Sequence, residues 1–303
     1  MNRISSLPFP PEFMMKTTLR TLGLLLLSSW GAFAQGAFED KIRVGGSTTI
    51  LPVMADCASR FMEKYETWDR VDPSFPKKRI LIFVTGGGSG FGVNAVTTDT
   101  VDIGMLSRDL KDEEKAKLGA HKVYLLSKDC IAFIASKQSP LAKLDNLTKA
   151  DVTRIFTGEA TTFAQVRKDL PAKPILVQIR DMSGGSTEVL QQLVLKGKTF
   201  TTQAVQVTSQ GANLKKAEAN PAVVGFISSV VAFQSGKLKV FKYEGVLPTN
   251  ENVTSGAYTL TRPLILVKKG QPRPQEQKFL DYLLGEGQAV VQEHGYVPAR
   301  QLK

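Results

Sequence analysis

Ile42-Arg43-Val44-Gly45-Gly46-Ser47-Thr48-Thr49, with Pro52 three residues further on, holds the plan of the chain in one short stretch. A β-favouring start gives way to two glycines and a run of hydroxyls. Pro52 suits the first turn of a helix, where a backbone N–H has no partner to lose. Val53, Cys57, Phe61 and Tyr65 then recur at helical spacing. The stretch therefore reads as a strand that ends in a glycine–hydroxyl turn and opens a helix.

The same order repeats outward. Ile80 to Val84 reads as a strand that ends in Gly86-Gly87-Gly88-Ser89-Gly90-Phe91-Gly92, and a helix through Val93 and Val96 follows. Strands are expected around Val101-Asp102-Ile103-Gly104 and over Ile131 to Ala135, with a polar helix at Asp112 to Lys117 between them. Further on come a helix over Leu147 to Phe156, a strand over Ile175 to Ile179, and Ser183-Gly184-Gly185-Ser186-Thr187 leading into a helix through Val189, Leu190, Leu193 and Val194. Val223 to Ile227 and Leu264 to Val267 are apolar strands, and two helices, Gln275 to Leu284 and Gly287 to His294, close the chain. Asp69 to Lys78, with Pro73 and Pro76, reads as an irregular insertion. Alternating strand and helix predicts an α/β fold with a parallel or mixed sheet.

Four strand ends share one chemistry: Gly46 to Thr49, with Ser47, Thr48 and Thr49; Gly86 to Gly92, with Ser89 and Gly90; Ser107 and Arg108; and Arg180 to Thr187, with Ser183, Gly184, Gly185 and Ser186. In open α/β sheets ligands bind at the carboxyl ends of strands. Helix starts offer unpaired N–H groups, hydroxyls add donors, and Arg bonds two oxygens of an oxyanion at once. A Ser or Thr before a helix is often only a cap, so the weight lies in the recurrence. No G-x-G-x-x-G, G-x-x-x-x-G-K-[ST] or G-x-S-x-G motif occurs, which disfavours a nucleotide enzyme or a serine hydrolase.

Composition agrees with an anion as partner. The 303 residues carry a formal charge of +11, which draws anions from solution. The Lys and Arg are scattered and no basic block is interleaved with aromatics, so nucleic acid is not expected. Lys16 and Arg20, the apolar run Leu22 to Leu27 and Ala32-Phe33-Ala34 describe a signal peptide over residues 1–34, with Met14 or Met15 as an alternative start. No Cys near Ala34 offers a lipid anchor, so the exported protein is expected to be soluble and periplasmic. Cys57 and Cys130 lie in apolar patterns that favour buried free thiols, although export permits a disulfide between them. His121 and His294, two isolated residues, offer neither a metal site nor a triad and are expected at the surface.

Taken in order, Gly46-Ser47-Thr48-Thr49 with Pro52, Gly86 to Gly92, Val101 to Gly104 with Ser107-Arg108, Ile155-Phe156-Thr157-Gly158, Arg180 with its Ser-Gly-Gly-Ser run, Val224-Gly225-Phe226, Arg262-Pro263-Leu264 and Gly285-Glu286-Gly287-Gln288 resemble the periplasmic phosphate-binding proteins of the PstS type. The resemblance covers residues 42–298. It implies a type II periplasmic-binding-protein fold: a lobe from residues 40–127 plus 249–303, a second from 128–248, and hinges near 128–135 and 245–257. It implies a monomer without cofactor, metal or catalysis that delivers inorganic phosphate to an ABC permease. Another tetrahedral oxyanion (sulfate, molybdate, tungstate) or a role as scavenger or sensor is the alternative.

Carried over, Thr48 or Thr49 and Ser89 donate from one lobe, while Arg180 with Ser183, Gly185 and Ser186 acts from the other. Two departures stand out. The family's Arg-x-x-x-Ser-Gly-Thr spacing would put a Ser where Gly184 stands, so Ser183 or Thr187 is expected to compensate. Ser107 stands where some members have an Asp, and a hydroxyl both donates and accepts. Arg108 beside it is expected to add attraction for any anion.

Overall fold

The computed structural model describes residues 38–302; the signal peptide read at 1–34 lies outside them. From the N-terminus, β1 (Lys41–Gly46), α1 (Leu51–Tyr65), α2 (Trp68–Val71), β2 (Leu81–Gly86), α3 (Ser89–Thr97), β3 (Ile103–Leu106), α4 (Asp112–Leu118) and the long β4 (His121–Ser136) follow one another. The middle of the chain forms β5 (Asn146–Leu147), α5 (Lys149–Thr157), α6 (Phe163–Val166), β6 (Leu176–Arg180), α7 (Gly185–Leu190), β7 (Val205–Val207), α8 (Gln210–Ala219) and β8 (Val223–Ser228). Then come α9 (Ser229–Ser235), β9 (Leu238–Val240), β10 (Lys242–Tyr243), α10 (Asn250–Thr254), β11 (Thr261–Lys269), α11 (Pro274–Leu284), α12 (Gln288–Glu293) and β12 (Val297–Pro298).

The main sheet runs β2-β1-β3-β11-β4-β8-β6-β7, with β9 and β12 also paired to β4. β1 lies parallel to β2 and β3, β6 lies parallel to β7 and β8, and β11 runs antiparallel to both β3 and β4. β4 joins the two parts of the sheet: its first stretch pairs with β11 and Ile131–Ala135 pairs with β8. Only the apolar second stretch is legible as a buried strand, because Val123 and Leu125 in the first are exposed.

Two large apolar cores result, beside two smaller clusters around Leu106 and Ile134. The first gathers Ile42 and Val44 of β1, Phe61 of α1, Met105 of β3, Leu266 of β11 and Phe279 of α11. The second gathers Phe133 of β4, Phe156 of α5, Val177 of β6, Leu190 of α7 and Phe226 of β8. Val253, Tyr258 and Leu260 belong to this second core, so the chain returns to the first half only as β11 begins. Each large side chain so buried stabilises the fold by roughly 1.5–3 kcal/mol.

Pro52 stands in the first turn of α1, and Val53, Cys57 and Phe61 form its buried face. Gly46 has a φ of +140°, and a Cβ there would stand 2.2 Å from the Met105 carbonyl oxygen. This glycine lets the ends of β1 and β3 lie against the start of α3. The stretch 69–78, read as irregular, is partly helical: α2 buries Trp68 against Phe38, Phe61 and Phe75. Cys57 and Cys130 are free and buried, one in each core, and burial pushes each thiol up to about 12. His121 and His294 are half-buried; His294 Nε2 lies 3.0 Å from Asp56 Oδ2.

Candidate functional site

The carboxyl ends of β1, β2, β3 and β6 meet at one small cavity between the two halves. From the first half Ser47, Thr48, Thr49, Ser89 and Ser107 line it; from the second, Arg180, Gly184, Gly185 and Ser186 do. Gly88, within the glycine run read from sequence, and Gln210, which that reading passed over, complete the wall. No carboxylate is among these residues. A Cβ on Gly185 would stand 2.7 Å from both the backbone and hydroxyl oxygens of Ser107 and 2.8 Å from Ser89 Oγ. Glycine there lets the two walls close on each other.

The hydroxyls of the cavity share one arrangement, in which each already accepts an N–H bond. Ser47 Oγ accepts from Thr49 N at 3.2 Å, Thr48 Oγ1 from Arg180 Nη1 at 3.1 Å, and Ser89 Oγ from Ser107 N at 3.1 Å. Thr49 Oγ1 accepts twice, from Gln210 Nε2 at 2.8 Å and from Arg262 Nη2 at 3.2 Å. Ser107 Oγ accepts from Arg262 Nη1 at 3.3 Å, and Ser186 Oγ accepts from the same nitrogen. Ser89 Oγ and Ser107 Oγ also lie 3.3 Å apart, so one of that pair gives its proton to the other, while the remaining hydroxyls, with a lone pair held by an N–H, keep a proton to give. The cavity is thus biased toward donating, as an anion requires.

Arg262 is the hub of this arrangement, although its sequence context singled it out only as part of a family motif. It is 1% exposed and lies beside Asp129 across the β4–β11 pair, where the strands pass between the two halves. Arg262 Nε and Nη2 donate to Asp129 Oδ2 at 3.0 and 2.6 Å, and Ser228 Oγ donates to Asp129 Oδ1 at 2.8 Å. Asp129 holds the guanidinium in place, and the remaining N–H groups reach Ser107 and Thr49 on one wall and Ser186 on the other.

Arg180 is the charge that faces the cavity. It is 3% exposed; Nη2 donates to the Thr208 carbonyl oxygen at 3.1 Å and lies 3.4 Å from Asp181 Oδ2, and Nε has no partner. Burial depresses its pKa, Asp181 opposes that, and the neighbouring charge of Arg262 adds to it. A guanidinium remains charged regardless. A charged side chain with an uncommitted N–H in the wall of a cavity can bond an anion there.

The structure corrects four expectations, the first of them Gly90, which packs against Ser183 outside the lining. Arg108 does not face the cavity. Its Nη atoms donate to both oxygens of Glu114 at 2.7 and 2.8 Å, and Nε lies 2.8 Å from Glu188 Oε2, off the hydrogen-bonding direction, as an ion pair. Ser183 sits at the exposed rim: its hydroxyl donates to Asp181 Oδ1 at 2.7 Å, while its carbonyl accepts from Gly90 N at 3.1 Å. Thr187 is wholly buried, away from the lining, with no partner for Oγ1. The hydroxyl of this wall comes from Ser186.

A larger groove of about 670 Å³ lies elsewhere, against α10 and α12, but its one charged side chain is Glu251, so it offers an anion no cation. Among the described residues no cluster of His, Cys, Asp and Glu could hold a metal, and no helix is long and apolar enough to cross a membrane.

Strand ends from two α/β halves, closing on a donor-lined cavity with a buried guanidinium, define an α/β binding protein built around an interlobe anion cleft. The chain belongs to the PBP superfamily, whose domain matches residues 32–286. It is 27% identical over 271 residues to the phosphate-binding protein PstS of Borreliella burgdorferi, covering 86% of this chain and 90% of that one. It is 26% identical to PstS of Bacillus subtilis, covering 87% and 82%. Among solved structures, a putative phosphate ABC transporter substrate-binding protein with bound phosphate from Clostridium perfringens matches at a TM-score of 0.74 and 27% identity, over 86% of this chain and 99% of that one. An ABC-type phosphate transport receptor from Vibrio cholerae shares the fold at a TM-score of 0.66 and 24% identity, over 84% and 99%.

Proposed function

We propose that this chain captures inorganic phosphate between two lobes outside the cytoplasmic membrane and hands it to an ABC permease, without chemical turnover. One observation carries the reading. Arg180 is buried with Nε unpartnered, in the wall of a cavity otherwise lined by hydroxyls, glycines and one carboxamide. The names of the Borreliella, Bacillus and Clostridium relatives support phosphate as the anion and an ABC system as the partner. The basic, apolar and Ala-x-Ala order at the start of the chain supports export.

In this reading residues 40–127 with 261–303 act as one lobe and 128–260 as the other, since Val253, Tyr258 and Leu260 pack in the second core rather than the first, and the cleft opens and closes on strands β4 and β11. Sulfate, molybdate or tungstate is the second reading, favoured by the absence of a carboxylate from the lining. The test is calorimetric titration of the purified protein, stripped of bound anion, with phosphate, sulfate and a phosphomonoester. Tight phosphate binding is expected, with no release of phosphate from the ester. Arg180→Ala is expected to weaken binding by about 2–5 kcal/mol, since it removes the charged partner of a buried anion. An affinity unchanged in that variant would place the site elsewhere.

A further inference from the structure

Among the lining side chains, two buried polar atoms lack any partner, and they are of opposite kinds. Arg180 Nε is a donor and Gln210 Oε1 is an acceptor. Gln210 is 5% exposed and opens the ten-residue helix α8, capped by Ser209. Its Nε2 is committed to Thr49 Oγ1 at 2.8 Å, which fixes the carboxamide in the wall and leaves Oε1 without a donor.

We propose that Gln210 Oε1 accepts the P–O–H proton of the bound anion, and that this contact separates protonated phosphate from fully ionised oxyanions. The inference rests on the reading of the cavity as a phosphate site. The donors there, Arg180 and the hydroxyls, meet oxygens that phosphate and sulfate present alike. Telling the two apart requires an acceptor, because phosphate keeps a proton at neutral pH and sulfate has none. The nearby carboxylates are otherwise engaged. Both oxygens of Asp129 are held by Arg262 and Ser228, behind the wall. Asp181 sits at the rim, bound by Ser183 and Arg180.

A carboxamide carries no charge, so it does not repel sulfate. It withholds one hydrogen bond and is itself left unsatisfied, which sets the preference at roughly 10- to 100-fold rather than exclusion.

The experiment titrates phosphate and sulfate into the anion-stripped wild type, Gln210→Met and Gln210→Glu, with thermal melts to follow folding. The wild type is expected to favour phosphate by about 10- to 100-fold. Gln210→Met is expected to lose most of that ratio, because the lost Thr49 contact weakens both anions alike and the lost acceptor weakens phosphate alone. Gln210→Glu is expected to weaken both anions, through the lost Nε2 donor and the added charge, but sulfate more than phosphate, so that the ratio rises; it carries the test if Gln210→Met does not fold. A wild type that binds the two anions equally, or a ratio unchanged in Gln210→Met, overturns the role of Gln210 and leaves the anion site standing. A wild type that binds neither overturns the proposed function itself.

Discussion

Arg262 and Arg180 are both buried cations near one cavity, yet they have different work. Arg180 keeps an unspent donor toward the cavity, whereas Arg262 spends its charge on Asp129 and its remaining N–H groups on the hydroxyls of both walls. Removing one member of a buried pair strands the other, at a cost of about 3–5 kcal/mol. Arg262→Met should therefore lower stability by that amount in denaturant unfolding. Arg262→Met combined with Asp129→Asn should recover most of the loss, because no charge is left unpaired. Anion affinity should stay low in both variants, since Thr49, Ser107 and Ser186 lose the N–H groups that orient their hydroxyls as donors. Recovered affinity in the double variant would show that Arg262 merely fills space.

At the scale of elements, Arg108 finds its role in a bond between halves. It stands just after β3 in the first half, and Glu188 lies in α7 of the second. Their ion pair at 2.8 Å, reinforced by Lys111 Nζ at 3.1 Å, ties the start of α7 to the turn before α4. Glu188→Gln removes this tie but leaves Arg108 with both oxygens of Glu114. Bound phosphate should then dissociate roughly 10-fold faster by stopped flow, with the association rate little changed. An unaltered dissociation rate would mean the pair does not hold the closed form. α7 also departs from its apolar pattern. It runs into a π-helical turn over Gln191–Leu195, which delays the helical phase by a residue, so Leu193 is exposed and Leu195 is buried.

For the whole molecule, acid is the condition that tests the ion pairs together. Burial pushes the Asp151 carboxyl up, but bonds from Arg167 and Thr148 outweigh it and hold the group at about 2, below its ordinary 3.8. Asp102 and Glu114 are likewise held low: burial is outweighed by Arg43 and Arg273 for the first, and by Arg108 and the Lys111 amide for the second. A carboxyl depressed in the folded state contributes its stability above the unfolded value and loses it as pH falls through the folded one. The melting temperature should therefore hold steady down to about pH 5 and fall progressively toward about pH 2. A flat profile across that window would show that these pairs add no net stability.

The alternation of strand and helix, the glycine–hydroxyl turns and the place of Arg180 at a strand end are legible in the sequence. Hydrophobic period and helix-start chemistry are local properties of a few consecutive residues. Ser47, Thr48, Thr49, Ser89, Ser107 and Ser186 all reach the cavity that this reading anticipates. The resemblance already singles out Arg180; tertiary structure alone turned Arg108 from the cavity, by setting Glu114 and Glu188 beside it. It alone brought in Gln210, whose helix has too weak an apolar stripe to stand out as an amphipathic element. Asp129 and Arg262 lie 133 residues apart and meet only through the antiparallel register of β4 and β11. A pairing of that range depends on how two cores close around a shared strand, and no local pattern of residues carries it.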